Sequence, residues 1–443
     1  MRAMKDSGIK WMGEIPEEWE VIPMKAYFYM KGRIGWQGLK ADEFIDEGPF
    51  LVTGTDFLNG KVNWETCYHI SEERFNEAPE IHVKNNDILI TKDGTIGKLA
   101  YIVNKPNKVS LNSHLLILRP TKPFIDNYFI YWALQSPNFG YYSGLVQSGT
   151  TMASLSQEKI GNYRLALPPL SEQQRIATYL DTKCGEIDEL IGIQEKFIEE
   201  LKTYKQSVIT EAVTKGLNPN ATLKDSGVEW IGEIPEEWEV CRLKNIANLV
   251  LGKMLESKKP ECENDEYTLE YYLKSRNIGD LELLNNIENV DQMWFNEYER
   301  HIYELKEGDI VMNEGGDIGK VSLWKDKGYK CYIQNSVHKI TPLNNVPAFL
   351  QYALYHAKVK GYYQSIVNAI SIAHLTKEKL CNTPLALPPL SEQRSIATYL
   401  DNKCSQIDSL IALKQTKIDE LKSFKKSLIY EYVTGKKTVP ETV

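Results

Sequence analysis

The sequence predicts a mixed α/β (α+β) protein in which two globular domains are joined by two long helices, paired as an intramolecular antiparallel coiled coil. Three observations support this prediction. The sequence contains a pseudo-twofold internal repeat, and each copy ends in a long segment with the apolar spacing of an amphipathic helix. The rest of each copy consists of short runs of β-branched residues separated by Gly, Asn and Pro. With 443 residues, 42% apolar and 25% charged, the chain can bury several soluble cores.

The repeat consists of two pairs of nearly identical blocks. Residues 5–21 (KDSGIKWMGEIPEEWEV) match residues 224–240 at 14 of 17 positions. Residues 165–191 match residues 385–411 at 21 of 27 positions. The offsets between the copies, 219 and 220, agree, so each copy carries both blocks in the same order.

The stretches between the blocks, about residues 24–164 and 243–384, resemble each other only in outline. Their clearest shared segments are Asp87–Lys98 and Asp309–Lys320, each read as a strand followed by a tight turn. A duplication without functional meaning would let all parts drift alike. Because the connecting blocks match and the intervening stretches do not, a common scaffold that presents two different surfaces fits better.

The first long helix begins near Ser171, after the Pro168-Pro169 pair, and ends near Gly216. Apolar residues at alternating steps of three and four predict its coiled-coil seam: Ile187, Leu190, Phe197, Leu201, Tyr204 and Val208. The seam predicted for the second helix is less regular and contains Ile407, Leu410, Ile418, Leu421, Phe424 and Leu428. We expect the helices to pair with each other; the alternative is that each packs separately on its own domain.

These patterns divide the chain into five parts. The predicted parts are a first domain (1–170), a first helix (171–216), a second domain (217–390), a second helix (391–436) and a tail (437–443). Within the domains, runs such as Ile88-Leu89-Ile90 and Leu115–Leu118 predict strands, and helices are expected near 127–134 and 347–356.

No motif for catalysis appears in the sequence. There is no phosphate-binding G-x-x-x-x-G-K-[ST], no His/Cys set at metal-ligand spacing and no G-x-S-x-G elbow. Seven scattered cysteines suit a reducing cytoplasm, and neither a signal peptide nor a membrane-spanning run is seen. The net charge of −8 excludes a uniformly basic nucleic-acid coat protein but leaves room for a local basic groove.

The paired W-x-G-E-I-P-E-x-W-E-V and L-P-P-L-S-E-Q motifs, with the Gly-Thr-Ile-Gly turn at 94–97, resemble the specificity subunit of type I restriction-modification systems. The resemblance covers essentially the whole chain. It implies two target-recognition domains, each reading one half of a split, asymmetric sequence in double-stranded DNA. The helices would dock two modification subunits, which use S-adenosylmethionine to methylate adenine at N6. Restriction subunits that use ATP and Mg would join them, so this chain would hold no cofactor and perform no catalysis.

The resemblance does not assign the DNA-reading residues individually, so basic, amide and hydroxyl residues near turns are the candidates. In the first domain they are Lys31, Arg33, Gln37, Lys92, Lys98, Ser148, Thr150 and Thr151. In the second domain they are Lys253, Lys274, Arg276, Asn277 and Lys320.

Three other interpretations remain at this point. One is a nuclease or methyltransferase activity hidden within the chain, which the absent motifs disfavour. Another is an assembly scaffold without DNA contact, which leaves the divergence of the two domains unexplained. The third is a similar two-domain subunit that serves a different, fused restriction partner, which neighbouring genes would distinguish.

Overall fold

A computed structural model describes residues 2–33, 39–146, 154–255, 258, 266–283, 290–325, 327–367 and 374–440. The chain forms two compact units. Unit 1 contains residues 1–195 and 415–443, and unit 2 contains residues 196–414. Each unit therefore combines one globular domain with a part of each long helix.

Unit 1 is built around a four-stranded and a three-stranded sheet. Its strands are β1 (Met4–Asp6), β2 (Glu14–Pro16), β3 (Glu20–Pro23), β4 (Phe28–Lys31), β5 (Ile45–Val52), β6 (Phe57–Leu58), β7 (Lys61–Val62), β8 (Tyr68–His69), β9 (Ile88–Thr91), β10 (Leu99–Tyr101), β11 (Val109–Leu111), β12 (Leu115–Pro120) and β13 (Arg164–Leu167). Its short helices are α1 (Met24–Tyr27), α2 (Glu72–Asn76), α3 (Asn127–Leu134), α4 (Pro137–Val146) and α5 (Gln157–Asn162).

The larger sheet of unit 1 is antiparallel in the order β10-β9-β12-β4, and the smaller has the order β11-β5-β8, with β11 parallel to β5. Strand β9 is buried along its full length, as expected for a central strand of continuous apolar residues. The two sheets share a core that includes Val52, Leu89 and Leu111. This arrangement brings the ends of both sheets together on one side of the domain.

Unit 2 repeats this architecture. Its strands are β14 (Leu223–Asp225), β15 (Glu233–Pro235), β16 (Glu239–Arg242), β17 (Ala247–Leu251), β18 (Thr268–Leu273), β19 (Asp291–Phe295), β20 (Ile310–Asn313), β21 (Val321–Leu323), β22 (Cys331–Ile333), β23 (Val337–Pro342) and β24 (Pro384–Leu387). Its short helices are α7 (Glu297–Tyr303), α8 (Pro347–Val359), α9 (Tyr362–Ile366) and α10 (Lys377–Cys381). The sheet orders are β17-β23-β20-β21 and β19-β18-β22, with β22 parallel to β18.

The two long helices are α6 (Leu170–Lys215) and α11 (Leu390–Val433), within a few residues of the predicted bounds. In each unit they run antiparallel. In unit 1, Lys425 Nζ lies 2.6 Å from the Asp188 carboxylate, and the rings of Tyr179 and Tyr432 are 4.7 Å apart. In unit 2 the equivalent ion pair joins Lys205 to Asp408 at 2.7 Å. None of the described helices is both long and apolar enough to cross a membrane.

The residues of α6 and α11 that are buried along the helix pair form a stripe. At several positions the buried residue is the one that follows the residue predicted for the seam. Ile191 is 9% exposed, whereas its predicted neighbour Leu190 is 47% exposed. The seam prediction is wrong in the same way at Phe197, Tyr204, Leu410 and Phe424, which are all exposed. The remaining predicted seam residues are buried or half-buried: Ile187, Leu201, Val208, Ile407, Ile418, Leu421 and Leu428.

The physical reason for this shift lies in pairs of neighbouring apolar residues. Leu190-Ile191 and Phe197-Ile198 each offer two side chains, and both choices satisfy a spacing of three and four. The structure buries the β-branched member of each pair. The same register places Lys205 and Lys425 beside the stripe, where each reaches an aspartate of the other helix.

The near-identical blocks hold each domain onto the start of a long helix. Trp19 is fully buried, and its indole N–H donates to Glu172 Oε2 at 3.1 Å. In unit 2, Trp238 donates to Glu392 Oε2 at 3.0 Å. The helix residue that follows each glutamate is a buried glutamine, Gln173 or Gln393, whose side chain bonds to backbone of the domain. The repeated motifs are therefore joints between domain and helix.

Two buried histidines make the stability of unit 2 sensitive to acid. Burial is the main cause that lowers the pKa of His338 and of His356 to about 4; nearby Lys377 and Lys360 contribute to this lowering, and a hydrogen bond to Leu375 O opposes it at His338. The unfolded chain binds these protons below pH 6.5, whereas the folded unit does not. The stabilisation is therefore present above pH 6.5 and is lost as the pH falls toward 4.

We expect acidification from pH 7.5 to 5 to lower the opening free energy of unit 2 by about 2 kcal/mol per histidine. Hydrogen exchange of unit 2 peptides at the two pH values measures this loss. His338→Gln and His356→Asn should each reduce the loss, because the substituted side chains do not titrate. His301→Asn, at an exposed position, is the matched control and should leave it unchanged. An equal loss in all variants would contradict the prediction.

Candidate nucleic-acid interface

The candidate residues of unit 1 gather where both of its sheets end in loops. Strand pairing aligns Thr91 with Leu115 and Val52 with Leu111, so the segments that follow or precede these residues lie on one side. We call the segments 31–33, 53–56, 92–98 and 112–114 the unit 1 loop end. Hydrogen bonds tie the segments together: Lys92 N donates to His114 O at 2.9 Å, and Asn112 N donates to Val52 O at 3.0 Å.

Unit 2 has an equivalent loop end, made of segments 251–253, 274–277, 314–320 and 334–336. Glu314 N donates to Ser336 O at 3.0 Å, and Gln334 N donates to Leu273 O at 3.0 Å. These bonds match those of unit 1 position by position. The backbone frame of the two loop ends is therefore the same, and the side chains that it carries differ.

Arg33 and Lys253 are structural residues and not surface contacts. Arg33 is 2% exposed, and its guanidinium donates to Leu111 O at 2.9 Å and Ser110 Oγ at 3.0 Å. Lys253 is 5% exposed and pairs with Glu299 at 2.7 Å. Both side chains donate hydrogen bonds to groups of their own domain, so the prediction that they read DNA is wrong.

A glycine precedes each of these buried residues and allows a close approach of two backbone segments. A Cβ at Gly32 or Gly252 would meet the carbonyl group of Leu115 or Gln334. The backbone therefore passes close to a neighbouring backbone segment at both glycines, and the basic residue that follows each glycine is buried.

Asn277 also serves the fold. Its side-chain Oδ1 accepts a hydrogen bond from Lys274 N at 3.0 Å, closing a one-turn 3-10 helix, and it is buried. In unit 1 the carboxylate of Asp56 accepts from Thr53 N in the same way, at 2.7 Å. A capping residue with its oxygen engaged is not available to read a base, so this selection is corrected too.

Arg276, in contrast, projects from this turn with a side chain 61% exposed. Its guanidinium lies 3.2 Å from the Asp291 carboxylate, which Lys274 also contacts. The hydrogen bond from Lys274 holds the pKa of Asp291 below its usual range, and Arg276 adds to this effect. The position equivalent to Arg276 in unit 1 is Thr55, which is exposed and was not selected from sequence.

The other selected lysines lie at the loop ends with accessible side chains. Lys31 and Lys98 are exposed, whereas Lys92 and Lys320 are half-buried. Lys320 Nζ lies 3.0 Å from the Asp317 carboxylate. Four selected residues fall outside the described part of the chain: Gln37, Ser148, Thr150 and Thr151.

Acidic residues and histidines at or beside the loop ends were not among the residues predicted from sequence, because nucleic-acid contact was expected of basic and amide groups. In unit 1, His114 Nδ1 lies 3.3 Å from the Asp93 carboxylate. In unit 2, His374 Nδ1 lies 4.0 Å from the Glu314 carboxylate. The alignment of Asp87–Lys98 with Asp309–Lys320 was the available signal, since it sets Glu314 opposite Lys92. Among the described residues, no cluster of three or more His, Cys, Asp or Glu could hold a metal ion.

The long helices carry exposed apolar side chains outside the buried stripe. The unit 1 helix patch consists of Leu190, Ile193 and Phe424. The unit 2 helix patch consists of Tyr204, Leu410 and Leu413. Each member of one patch has its counterpart 220 residues away in the other. Apolar groups repeated on an exposed helix face are typical of a protein-binding surface.

Comparisons with known proteins agree on one family. The family model for the type I restriction modification DNA specificity domain matches the chain twice, at residues 16–203 and 235–423. The specificity subunit of the type I restriction enzyme MjaVIII from Methanocaldococcus jannaschii is 27% identical over 98% of this chain and 97% of that protein. The EcoBI specificity subunit from Escherichia coli is 24% identical over 90% of this chain and 82% of that protein.

Two solved structures share the fold. A chain from a study of complex assembly and conformational transition of the type I R-M system superposes with a TM-score of 0.71 at 16% identity, covering 95% of this chain and 99% of that chain. An HsdS subunit from Thermoanaerobacter tengcongensis gives a TM-score of 0.50 at 16% identity, covering 95% of this chain and 98% of that chain.

Proposed function

Because this chain belongs to the type I restriction-modification DNA specificity domain family, we propose that it reads an asymmetric, bipartite target in double-stranded DNA without catalysing a reaction itself. Each unit would recognise one half-site through its loop end. The modification subunits that it directs would supply S-adenosylmethionine and methylate adenine at N6. ATP and Mg would belong to the restriction subunits, and the complex would act in the cytoplasm.

The observation that carries this proposal is one scaffold with two different loop ends. The joints of the two units, Trp19–Glu172 and Trp238–Glu392, are built from the same residues at the same spacing. At the loop ends, an identical backbone frame presents different side chains, such as Thr55 and Arg276. A protein that reads two unlike half-sites needs this combination of constant geometry and varied chemistry.

Sequence reading would rest on the side chains that the loop ends leave accessible. In unit 1 these include Lys31, Lys92 and Lys98, and in unit 2 they include Arg276 and Lys320. Lysine and arginine donate to guanine O6 and N7 in the major groove or to phosphates. The net charge of −8 disfavours tight binding by this chain alone, so the modification subunits would supply much of the phosphate contact.

The helix patches support docking of modification subunits, one for each unit. Leu190 directly precedes Ile191 of the buried stripe, and Phe424 directly precedes Lys425, which lies beside that stripe, so in an antiparallel pair Leu190 and Phe424 flank it on the same side. Leu410 and Tyr204 repeat this arrangement in unit 2. Two equivalent patches suit two copies of one partner.

Arg276→Ala tests the role of the unit 2 loop end. We expect the complex with modification subunits to lose discrimination at one base pair of one half-site, by about 1–3 kcal/mol, because one donor to a base edge is removed. Binding of the other half-site should not change. Competition binding with single-base variants of the target measures this effect.

Lys306→Ala is the matched control, because Lys306 is an exposed basic residue before β20, away from the loop end. It should keep wild-type discrimination at every position. Uniform weakening by Arg276→Ala on all DNA sequences would indicate a phosphate contact and would contradict the assignment.

A further inference from the structure

One backbone position carries opposite charges in the two loop ends. Lys92 follows the last residue of β9, and Glu314 follows the last residue of β20. Their N–H groups donate to His114 O and Ser336 O, respectively. Their carbonyl oxygens accept from Leu155 N at 2.8 Å and from Leu375 N at 2.7 Å. Matching bonds on both sides make Lys92 and Glu314 structural equivalents.

The Glu314 carboxylate is largely sequestered from water, and no described residue forms a hydrogen bond with it. Its side chain is 15% exposed, and the ring nitrogen of His374 is 4.0 Å away, beyond hydrogen-bonding distance. Desolvation raises the pKa of Glu314, an effect that His374 partly offsets. Holding a carboxylate there without a hydrogen-bond donor from the described residues costs stability. A donor from a bound molecule would remove that cost.

The Lys92 side chain likewise has no polar partner among the described residues. Its side chain is half-buried and makes no ion pair or side-chain hydrogen bond to another described residue, whereas the adjacent Asp93 pairs with His114. An ammonium group and a carboxylate at equivalent positions can both form a hydrogen bond with a polar group of a bound partner, the first as donor and the second as acceptor.

The charge reversal indicates which part of DNA this position faces. A position whose task is to neutralise phosphate would not accept a glutamate in one copy, because the carboxylate would be repelled. The edges of bases, in contrast, offer both acceptors and donors in the major groove. Guanine presents O6 and N7 as acceptors, and cytosine presents its N4 amino group as a donor.

From this geometry we infer that Lys92 and Glu314 are equivalent specificity-determining residues, with Lys92 selecting a guanine and Glu314 selecting a cytosine at their points of contact. This inference rests on the proposed function. Lys92 Nζ donates to guanine O6 or N7 in the half-site of unit 1. Glu314 accepts from cytosine N4 in the half-site of unit 2, where the amino group supplies the donor that the described part of the chain does not.

The test exchanges the chemistry at this position in the full chain, assembled with its modification subunits, and maps N6-methyladenine in DNA by long-read sequencing. Glu314→Lys should replace cytosine by guanine at one position of one half-site. Glu314→Gln, which keeps the shape of the side chain, should favour adenine, because an amide matches adenine N6 and N7. Each change should alter the preference between bases by about tenfold or more and leave the other half-site unchanged.

Lys92→Glu should change guanine to cytosine in the half-site of unit 1. Two control variants lie at the opposite ends of the same strands: Lys84→Glu before β9 and Glu307→Gln before β20, both at exposed positions. These controls should retain the wild-type motif.

Three outcomes separate the inference from the proposed function. An unchanged motif in folded Glu314→Gln and Lys92→Glu complexes would overturn the inference and leave the function intact. An equal loss of methylation on all sequences would also overturn it, since that result indicates a structural or phosphate role. A wild-type complex that methylates no motif would overturn the proposed function itself. If Glu314→Lys fails to fold, the near-isosteric Glu314→Gln decides.

Discussion

Glu172→Ala should destabilise unit 1 by about 3–5 kcal/mol, more than Glu392→Ala destabilises unit 2. Glu172 accepts a hydrogen bond from Trp19 and two from the guanidinium group of Arg2, at 2.6 and 2.8 Å. Its removal leaves the buried indole N–H of Trp19 without its acceptor and leaves Arg2 with Glu18 alone at a largely buried joint. Glu392 accepts from Trp238, and the position equivalent to Arg2 is Ala221, so its loss should cost about 1–3 kcal/mol.

Hydrogen exchange of peptides from each unit measures these two losses within the same chain. Arg2→Ala is the matched variant, because it leaves Glu172 with the indole bond alone, as at Glu392. In the Arg2→Ala background, Glu172→Ala should cost about as much as Glu392→Ala does in the wild type. Equal costs in the two units of the wild-type chain would contradict this account of the joint.

Leu190→Glu should weaken binding of one modification subunit by at least about 2 kcal/mol, or roughly thirtyfold. The substitution places a charge in the unit 1 helix patch, where docking would remove it from water. The isolated chain should keep its stability, since Leu190 is already 47% exposed. Leu410→Glu should have the same effect in unit 2, and the double variant should abolish assembly.

Titration of the modification subunit monitored by native mass spectrometry gives both stoichiometry and affinity. The matched control is Leu58→Glu, the same change at a leucine that is 60% exposed but lies at the end of the short strand β6 of the domain. It should leave two subunits bound. Wild-type assembly by the Leu190→Glu, Leu410→Glu double variant would show that the patches do not dock this partner.

The sequence predicted the long helices to within a few residues because their signals are local. Proline pairs mark the beginnings, glycines mark the ends, and the apolar repeat spans the interior. The same repeat could not choose between Leu190 and Ile191, because either residue continues a coiled-coil spacing. That choice depends on the register between the two helices, which cannot be derived from the sequence of one helix alone.

The candidate interface was predicted less well than the fold. Arg33 and Lys253 were selected for their charge, but the sequence does not reveal the carbonyl and carboxylate groups that bind them inside the domain. Glu314 was missed because nucleic-acid binding was sought through positive charge. Its significance depends on the tertiary structure: it shares a backbone position with Lys92, and its half-buried carboxylate receives no hydrogen bond from the residues that the structure describes.

The central claim, that this chain directs methylation to a bipartite target, is tested most directly in cells that carry the modification subunit with and without it. Long-read sequencing then maps N6-methyladenine across the genome. We expect a new methylated motif that appears only with this chain, is asymmetric and has two parts separated by a fixed gap. A soluble complex that adds no methylated motif, or one with a single undivided motif, would contradict this claim.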